Sequence, residues 1–389
     1  MKITAKNSSK QPVVAFCIEE LSVGGAEQML IAMANEFAHR NWRVHVVCLS
    51  KAGELAIRLR EAVTLHVLNK RRGLDLMLPV RLQRTIGQIA PDVINSHLWV
   101  ANAWTRLSLL GNSIPIIATE HSRDVWKPFH YRWMDKFLSR RTYQLVAVSE
   151  DAADFYRSTI AIRDELITVI HNGVDTALYS EGKGLKLREK WLNVDSSISE
   201  DCSVLIGTVG RLVPAKNHFR LLESIAFLRR DKALSEFHIR LKIVGEGPER
   251  SRIQQRIDQL HLADAVSLAG TRHDIPDVLA AFDIFVLSSD REGHPLTALE
   301  AQAAGTPVVL TDAGGSGETI AHDASGVGGV LVEKNARAIA VAIREMLLDP
   351  QLRQRRAAFA RHYAHTHFDK QTMIDRYERL FMRSLAARD

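Results

Sequence analysis

Two glutamates, Glu292 and Glu300, bracket a segment with the signals of a loop that leads into a helix. Pro295 suits the first turn of that helix, and Gly305 suits its left-handed C-terminal cap. We therefore predict Glu292 on the loop and Glu300 inside the helix, where the two carboxylates could bracket a polyhydroxylated ligand. The alternative is a solvated Glu292 and a Glu300 that caps or pairs within its own helix, which is more common for an isolated pair of glutamates.

The same helix would offer an anion site at its N-terminus, directly after His294 and Pro295. The amides of Leu296, Thr297 and Ala298 have no carbonyl partner inside the helix. The helix dipole also favours negative charge at this end. A phosphate group is a typical ligand of such a site.

A second anion site is indicated by the segment Gly210-Arg-Leu-Val-Pro-Ala-Lys216, which follows an apolar strand and precedes a helix over Phe219–Leu228. Arg211 supplies a bidentate fork and Lys216 a point charge, which together suit a diphosphate. Solvated Lys and Arg are also common in loops of this kind, and that is the alternative interpretation.

Two further loops are rich in glycine. Gly24 and Gly25 link the first apolar strand to the first helix, where they let the backbone approach a ligand closely. The loop matches neither the P-loop nor the dinucleotide fingerprint, because neither GK[ST] nor GxGxxG is present. The other loop, Gly245-Glu-Gly247, indicates a tight turn into a helix that begins at Pro248.

His121 follows an apolar strand in the sequence Thr119-Glu-His121. A histidine at the carboxyl end of a strand faces the ligand-binding edge of a sheet and could bond a sugar hydroxyl or a phosphate. A lone histidine is more often structural. The turn Asn172-Gly-Val-Asp175 follows the seventh strand, and we predict a positive φ at Gly173.

Short apolar runs, alternating with amphipathic helical stretches, must position these residues. The runs are nearly continuous in apolar character, which is typical of parallel strands covered on both faces. We predict an α/β fold with two doubly wound, Rossmann-like domains that face each other across a cleft. The predicted strands are Val13–Ile18, Val44–Leu49, Leu65–Leu68, Val93–Asn95, Ile114–Ala118, Leu145–Val148, Ile167–Ile170, Val204–Val209, Ile239–Val244, Val266–Leu268, Ile284–Leu287, Pro307–Leu310 and Gly329–Val332.

The polar stretch 175–200 interrupts this pattern and indicates a domain boundary. We predict an N-terminal Rossmann-like domain over residues 1–175 and a C-terminal Rossmann-like domain over residues 176–365. Residues 366–389 are predicted to form a helix that packs back toward the N-terminal domain.

The chain has 389 residues and a net charge of +6, with a pI of about 9.2. Its ordinary composition excludes a disordered, collagen-like or polytopic membrane chain, and the positive balance fits an anionic partner. Cys17, Cys48 and Cys202 form no CxxC pair, so we expect neither a disulfide framework nor a zinc site. No DxD sequence occurs, so the usual acidic pair for holding a divalent metal on a phosphorylated substrate is missing.

No apolar segment approaches the ~20 residues that a membrane-spanning helix needs. Val13–Ile18 is too short for the apolar region of a signal peptide. We expect a cytoplasmic protein whose membrane contact, if any, is peripheral, on the inner face of the membrane.

A basic and aromatic region over residues 123–141 could supply that contact. Arg132, Lys136 and Arg140 recur at four-residue spacing, and a second basic cluster lies at Lys70-Arg71-Arg72. Basic residues mixed with aromatic ones suit an anionic bilayer surface. The alternative is an ordinary amphipathic helix whose aromatic side chains pack on the core. The aromatic residues concerned are Trp126, Phe129, Tyr131 and Trp133.

Taken together, these motifs resemble the retaining glycosyltransferases of the group 1 type, glycosyltransferase family four, which have the GT-B fold. The resemblance covers essentially the whole chain, and it is strongest to bacterial enzymes of surface-polysaccharide or lipopolysaccharide assembly. Glu292 and Glu300 match the family's E-x7-E element. The other motifs follow in the family's usual order: Gly24-Gly25, Glu120-His121, Val-Ser-Glu at 148–150, Asn-Gly-Val-Asp at 172–175 and Gly-Arg-Leu-x-x-x-Lys at 210–216.

The resemblance implies a role for each matching residue. Arg211 and Lys216 would hold the donor diphosphate, and Glu300 would bind the ribose hydroxyls. Glu292 would contact the transferred sugar, and His121 a sugar hydroxyl or the leaving phosphate. The implied catalytic residues are His121, Glu292, Arg211 and Lys216. The implied donor-binding residues are Gly24, Gly25, Gly210, Arg211, Lys216, Gly245, Glu292, His294, Pro295, Leu296, Thr297 and Glu300.

The implied reaction is the retaining transfer of a hexose or N-acetylhexosamine from a nucleotide-diphosphate sugar to a saccharide or lipid-linked saccharide acceptor. UDP is favoured as the nucleotide, and neither a metal nor another cofactor is expected. The domain over residues 1–175 would bind the acceptor and the domain over residues 176–365 the donor. The loop Glu292-Gly-His-Pro295 departs from the family's commoner Gly-Phe-Gly or Gly-Phe-Pro form, at the sugar pocket.

Several alternatives remain open from the sequence. Within the same fold they are a GDP-mannose-dependent mannosyltransferase, a sugar-nucleotide epimerase, a phosphorylase and a non-catalytic nucleotide-sugar-binding protein. Outside it, the positive charge alone suggests a nucleic-acid-binding module, for which no binding motif is present. We therefore expect no nucleic acid partner.

Overall fold

In the computed structural model, residues 11–192 and 202–387 are described, and they form two compact units. The first unit contains the chain up to His171 and again from Met373 on, and the second contains Asn172–Thr372. The sequence had placed the boundaries at residues 175 and 365.

The strands alternate with helices along both units. The strands are β1 (Val13–Ile18), β2 (Arg43–Cys48), β3 (Val63–Val67), β4 (Val93–His97), β5 (Ile116–Glu120), β6 (Gln144–Ala147), β7 (Ile167–Val169), β8 (Ser203–Val209), β9 (His238–Val244), β10 (Val266–Gly270), β11 (Ile284–Leu287), β12 (Val308–Thr311), β13 (His322–Asp323), β14 (Gly326–Val327) and β15 (Gly329–Val332). The α-helices are α1 (Gly25–His39), α2 (Leu78–Ile89), α3 (Trp99–Ser108), α4 (Phe129–Leu138), α5 (Glu150–Asp154), α6 (Thr176–Ser180), α7 (Leu185–Leu192), α8 (His218–Arg229), α9 (Arg250–Gln259), α10 (Ile275–Ala280), α11 (Leu296–Ala303), α12 (Ala336–Leu348), α13 (Pro350–His367) and α14 (Lys370–Ala386).

Each unit is built around one parallel sheet. Among the described residues, the first unit has seven strands in the order β3-β2-β1-β4-β5-β6-β7, and the second has six in the order β10-β9-β8-β11-β12-β15. Strands β1, β4, β5 and β8 are buried along their whole length, because helices cover both faces of a doubly wound sheet. The predicted fold class, two Rossmann-like α/β domains, is confirmed.

The predicted strands are all present, with ends shifted by at most a few residues. The short antiparallel hairpin of β13 and β14 was not predicted, since two-residue strands leave no periodic signal. The helix expected to begin at Pro248 begins at Arg250, after a turn. The prediction of a positive φ at Gly173 is wrong. A Cβ at that position would lie 2.8 Å from the carbonyl oxygen of Asp369, so close backbone approach explains the glycine.

The last helix, α14, completes the core of the first unit. Its apolar residues recur every three or four positions, and five of them are buried: Met373, Ile374, Tyr377, Leu380 and Phe381. Phe381 stacks on Phe37 with ring centroids 5.1 Å apart. Burial of a side chain of this size stabilises the fold by about 1.5–3 kcal/mol. The last helix is therefore part of the first unit, although the residues that separate it from the rest of that unit in the sequence form the second unit.

Cys17 and Cys48 lie in the core and form no disulfide. Burial raises the pKa of both thiols to about 12, which keeps them protonated and unreactive. Cys202 is partly exposed.

Candidate active site

The two sheets share a topological feature that places the candidate residues. The strand order reverses between β1 and β4 in the first sheet and between β8 and β11 in the second. In open α/β sheets, ligands bind beyond the carboxyl ends of the strands at such a switch point. Gly24 and Gly25 follow β1 and His121 follows β5, in the first unit. In the second unit, Arg211 and Lys216 follow β8 and Glu292 follows β11.

Lys216 and Glu292 are brought together across the switch point of the second sheet. Nζ of Lys216 lies 2.6 Å from Oε1 of Glu292, and the Ser289 hydroxyl donates to the same oxygen at 2.6 Å. The Glu292 side chain is only 10% exposed. The alternative in which Glu292 is a solvated loop carboxylate is therefore wrong.

The loop that carries Lys216 is held by residues that the sequence analysis did not select. Asn217 has a left-handed φ of 43°, and its side-chain amide donates to the Asp290 carboxylate at 3.1 Å. The Asp290 amide in turn donates to the carbonyl of Ala215 at 2.8 Å. Arg220 also binds Asp290, at 2.6 Å. An Asn that ends a Lys-containing turn was the one available signal in the sequence for this arrangement.

The backbone of Glu292 is fixed to the loop that follows β12. Its amide donates to the carbonyl of Ala313 at 2.6 Å, and Glu292 pairs with Gly314 in an isolated parallel bridge. The carbonyl of Glu292 accepts from the Gly315 amide at 3.3 Å. Glu292 is thus held by main-chain contacts as well as by Lys216.

Arg211 is exposed, on a loop that packs tightly against the loop after β9. A Cβ on Gly245 would lie 1.9 Å from the carbonyl oxygen of Gly210, so only glycine fits at position 245, where φ is +137°. The Leu212 amide donates to the carbonyl of Glu246 at 2.8 Å. These contacts fix the backbone on both sides of Arg211 and leave its guanidinium in solvent.

Helix α11 begins at Leu296, with Pro295 as its N-terminal flanking residue. Leu296 and Thr297 supply the first two amides of the helix, as predicted. The Ala298 amide donates to the carbonyl of Pro295 at 3.2 Å, so the prediction that it is free is wrong. Gly305 follows the helix with a φ of +83°, which confirms the predicted left-handed position.

His294 lies buried before this helix. Its carbonyl accepts a hydrogen bond from the side-chain amide of Asn172 at 2.9 Å. Asn172 belongs to the Asn-Gly-Val-Asp turn, so this motif holds the loop before α11 within the second unit.

Glu300 lies on α11 and is buried. Burial raises the pKa of its carboxyl to about 7, and a hydrogen bond from the Tyr179 hydroxyl opposes that rise. A carboxyl that titrates near neutrality can accept hydrogen bonds from two neighbouring hydroxyls once it is ionised. The alternative in which Glu300 pairs within its own helix is not what the structure contains, because Tyr179 lies on α6.

In the first unit, Gly24 and Gly25 form the entry to α1. Gly24 flanks the helix in an extended conformation and Gly25 is its first residue. The loop before them is fixed by a hydrogen bond from the Leu21 amide to the carbonyl of Ala52, at 3.0 Å.

His121 lies at the carboxyl end of β5 and contacts a second imidazole. Its Nε2 is 3.1 Å from Nδ1 of His97, and Nε2 of His97 is 2.9 Å from Oδ1 of Asn95. Burial lowers the pKa of His121 to about 4 and that of His97 well below its ordinary value. Asn95 and His97 were not selected from the sequence, although an Asn-x-His at the end of one strand beside the strand of His121 was a usable signal.

A buried group of charges lies beside His121. Lys127 donates to Asp135 at 2.8 Å and is 2.9 Å from Asp124, and Arg106 binds Asp135 at 3.1 Å. Burial raises the pKa of the Glu120 carboxyl to about 7, and Lys127 opposes that rise. These charges anchor the segment that leads into α4.

The aromatic side chains around α4 are largely exposed. Four of them lie on the surface, with exposures of 53%, 81%, 61% and 42%: Trp126, Phe129, Trp133 and Phe137. Tyr131 instead packs on Trp99, with ring centroids 4.5 Å apart. The alternative in which these aromatic residues pack on the core is therefore wrong for Trp126, Phe129 and Trp133, and Tyr131 is half-buried against Trp99.

The described residues contain neither a metal-binding cluster nor a membrane-spanning helix. No group of three or more His, Cys, Asp or Glu with the geometry of a metal site occurs within residues 11–192 and 202–387. In the same ranges, the structure contains no helix of the length and apolar character needed to span a membrane.

Comparisons with known proteins agree with this architecture. Residues 23–178 match the model described as Glycosyltransferase Family 4, and residues 190–363 match the model described as Glycosyl transferases group 1. The N-acetyl-alpha-D-glucosaminyl L-malate synthase of Bacillus anthracis is 23% identical over 377 residues, which cover 92% of this chain and 94% of that protein. The UDP-Gal:alpha-D-GlcNAc-diphosphoundecaprenol alpha-1,3-galactosyltransferase of Escherichia coli is 25% identical over 271 residues, 67% of either chain.

A solved structure is similar over nearly the whole length. The crystal structure of Anabaena Alr3699/HepE in complex with UDP has a TM-score of 0.81 to this chain at 23% identity, and the match covers 95% of this chain and 99% of that one. This likeness confirms the GT-B fold. With both halves matched by models of one family, the chain belongs to the group 1 glycosyltransferases of family four.

Proposed function

We propose that this glycosyltransferase moves a hexose or N-acetylhexosamine from a UDP-sugar to a saccharide or lipid-linked saccharide, with retention of configuration and without a metal. The observation that carries the proposal is the Lys216–Glu292 contact of 2.6 Å at the switch point of the second sheet. The contact places a cation and a carboxylate side by side, which suits a substrate that is a diphosphate at one end and a sugar at the other.

The chemistry assigned to the residues follows from their positions. Negative charge develops on the leaving diphosphate, and donors that are already fixed in place stabilise it most effectively. Lys216 is fixed in this way, and the amides of Leu296 and Thr297 lie at a helix N-terminus. The exposed guanidinium of Arg211 is the remaining donor, and it closes on the phosphates when the nucleotide binds.

The sugar end of the substrate is assigned to Glu292. A carboxylate next to the reacting carbon stabilises the positive charge of an oxocarbenium-like transition state. Main-chain contacts with Ala313 and Gly314 hold Glu292 in place independently of its contact with Lys216. Retention is assigned from the family resemblance, and no covalent intermediate is invoked.

UDP is assigned as the nucleotide from two relatives. The Anabaena structure contains UDP, and the E. coli relative is named for UDP-Gal. Glu300, on the same helix as the Leu296 and Thr297 amides, is assigned to the ribose hydroxyls.

The acceptor is assigned to the class of saccharides or lipid-linked saccharides, with the first unit at a membrane surface. The E. coli relative is named for a diphosphoundecaprenol-linked acceptor. The exposed aromatic residues around α4 and the exposed Leu74, Leu76 and Met77 beside Arg71 and Arg72 are two apolar and basic surfaces of the first unit. Such surfaces suit an anionic bilayer.

A ligand-binding measurement tests the donor assignment. The purified protein is heated with UDP, GDP, ADP, CMP and their sugar conjugates in the presence of EDTA. A ligand at about 100 times its Kd raises the free energy of unfolding by about 2.7 kcal/mol, so UDP and its conjugates should raise Tm clearly. A rise with GDP-mannose instead would favour the mannosyltransferase alternative.

A transfer assay then separates the remaining alternatives. With the donor identified and a saccharide or lipid-linked saccharide added, the product should carry the sugar in the configuration it had in the donor. Conversion of the donor to another sugar nucleotide without an acceptor would indicate an epimerase. Binding without any product would indicate the non-catalytic alternative.

A further inference from the structure

Three hydrogen-bonded side chains of the first unit form a chain that ends at His121. Asn95 and His97 lie on β4 and are completely buried. His121 follows the neighbouring strand, β5. Nε2 of His97 is 2.9 Å from Oδ1 of Asn95, and Nδ1 of His97 is 3.1 Å from Nε2 of His121.

The Asn95 amide determines which atoms donate and which accept in this chain of hydrogen bonds. Its nitrogen donates to the carbonyl of Ile117 at 3.0 Å and to the hydroxyl of Thr119 at 2.9 Å. A carbonyl can only accept a hydrogen bond, so the nitrogen of the amide must face Ile117. The amide oxygen therefore faces His97 and must receive a proton from its Nε2.

The orientation of the Asn95 amide also determines which nitrogens of His97 and His121 carry their protons. Burial lowers the pKa of both rings, to about 4 for His121, so both are neutral near pH 7. A neutral imidazole carries one proton, so His97, with its proton on Nε2, has a lone pair on Nδ1. The hydrogen bond to His97 then requires the proton of His121 to be on Nε2. Nδ1 of His121 keeps its lone pair, and no residue of the described chain donates to it.

We propose that Asn95 and His97 are positioning residues that hold His121 in the Nε2–H tautomer, so that His121 presents a hydrogen-bond acceptor to its ligand. An acceptor nitrogen receives a hydrogen bond from a sugar hydroxyl and is repelled by a phosphate oxygen. The chain of hydrogen bonds thus assigns His121 to the transferred sugar and not to the diphosphate. This assignment rests on the proposed function, whereas the tautomer itself does not.

Nuclear magnetic resonance of the resting protein tests the tautomer without any need for activity. The protein is labelled with nitrogen-15 in its histidines, and the signals are assigned with His97→Gln and His121→Asn. We expect pyrrole-type Nε2 and pyridine-type Nδ1 signals for both rings, and a coupling across the hydrogen bond between them. A proton on Nδ1 of either ring, or a doubly protonated ring at pH 7, would overturn the proposal.

A pair of variants tests whether the hydrogen bonds that join Asn95, His97 and His121 contribute to kcat. Asn95→Leu removes the acceptor for His97, whereas Asn95→Asp, protonated in this buried site, keeps an accepting oxygen beside His97 and donates its hydroxyl to the carbonyl of Ile117. We expect Asn95→Leu to lose the coupling and to lower kcat by about 10- to 100-fold, with little change in the KM for the nucleotide sugar. Asn95→Asp should retain the coupling and most of kcat. A wild-type kcat in Asn95→Leu that has lost the coupling would refute the positioning role.

The molecule offers an internal control for these variants. His45 and His66, on β2 and β3, form a second imidazole pair with Nδ1 of His45 3.0 Å from Nε2 of His66. Their signals should be the same in wild type and in both Asn95 variants. If Asn95→Leu does not fold, the wild-type signals and Asn95→Asp still decide the tautomer.

A titration separates the sugar from the phosphate as the ligand of His121. UDP-glucose and UDP-N-acetylglucosamine should each move the Nδ1 signal of His121, whereas UDP alone should leave it in place. An equal movement with UDP alone would overturn the assignment to the sugar. If wild type binds none of the three probes, the proposed function fails while the tautomer stands on its own measurement.

Discussion

Lys216 and Glu292 are 76 residues apart along the chain, yet their side chains meet at 2.6 Å. Lys216 leaves β8 and Glu292 leaves β11, the two strands on either side of the point where the strand order reverses. Their contact is therefore a direct product of the doubly wound topology. It gives the most direct test of the donor site.

We expect Lys216→Ala to lower kcat/KM by about 100- to 1,000-fold, because a fixed cation at the leaving diphosphate is lost. The measurement is the initial rate of transfer from the donor that the binding panel identifies. Lys334→Ala, at an exposed lysine of the same unit, is the matched control and should retain full activity. A folded Lys216→Ala protein with wild-type kcat/KM would contradict the assignment of Lys216 to the diphosphate.

Glu300 predicts a pH dependence of stability. Its pKa is raised from 4.5 to about 7 in the folded protein, so the unfolded chain loses this proton at lower pH than the folded chain does. The folded state therefore binds more protons in this window, and the contribution of Glu300 to the free energy of unfolding falls as pH rises from 4.5 to about 7. Above that range the contribution stays constant.

The variant Glu300→Gln isolates this effect, because the amide does not titrate. We expect the Tm of Glu300→Gln minus that of wild type to rise across the window and to level off near pH 7. Glu120 has a pKa raised in the same direction and remains in both proteins, so its effect cancels in the difference. A Tm difference that does not vary with pH would mean that the pKa of Glu300 is not raised in the folded protein.

The exposed aromatic residues around α4 predict binding to anionic vesicles. Phe129 and Trp133 are 81% and 61% exposed, and burial of such a side chain in a bilayer contributes about 1.5–3 kcal/mol. We expect Phe129→Ser and Trp133→Ser each to weaken sedimentation with phosphatidylglycerol vesicles by roughly tenfold or more. Phe227→Ser, at an exposed phenylalanine of the second unit, should have no such effect. Equal binding of wild type to neutral phosphatidylcholine vesicles would rule out the electrostatic part of the interaction.

The packing of α14 predicts a large stability difference between adjacent positions. Phe381 is fully buried against Phe37 and Trp42, whereas Met382 is exposed. We expect Phe381→Ala to lower the free energy of unfolding of the first unit by about 3–5 kcal/mol, and Met382→Ala to change it by less than about 0.5 kcal/mol. Urea denaturation, monitored by tryptophan fluorescence that includes Trp42, measures this difference. Similar midpoints for the two variants would show that α14 contributes little to the core.

The sequence by itself determined the fold class and the order of the elements. Continuous apolar runs such as Val13–Ile18 and Ile284–Leu287 predicted buried parallel strands with the ends that the structure has. Local signals were equally informative around α11, where Pro295 and Gly305 marked the two ends of the helix. These features depend on residues close in the chain, for which backbone preferences and periodicity suffice.

Only the tertiary structure decided which of the candidate side chains meet. Sequence analysis selected Lys216 and Glu292 separately, and it left open a solvated Glu292. It also missed Asn95 and His97, because their role comes from the pairing of β4 with β5 and not from their neighbours in the chain. Hydrogen bonds such as that of His97 with His121 join residues on different strands, so they exist only once the sheet has set the register. Burial likewise changed the chemistry of Glu300, whose raised pKa reflects the removal of water by packed helices.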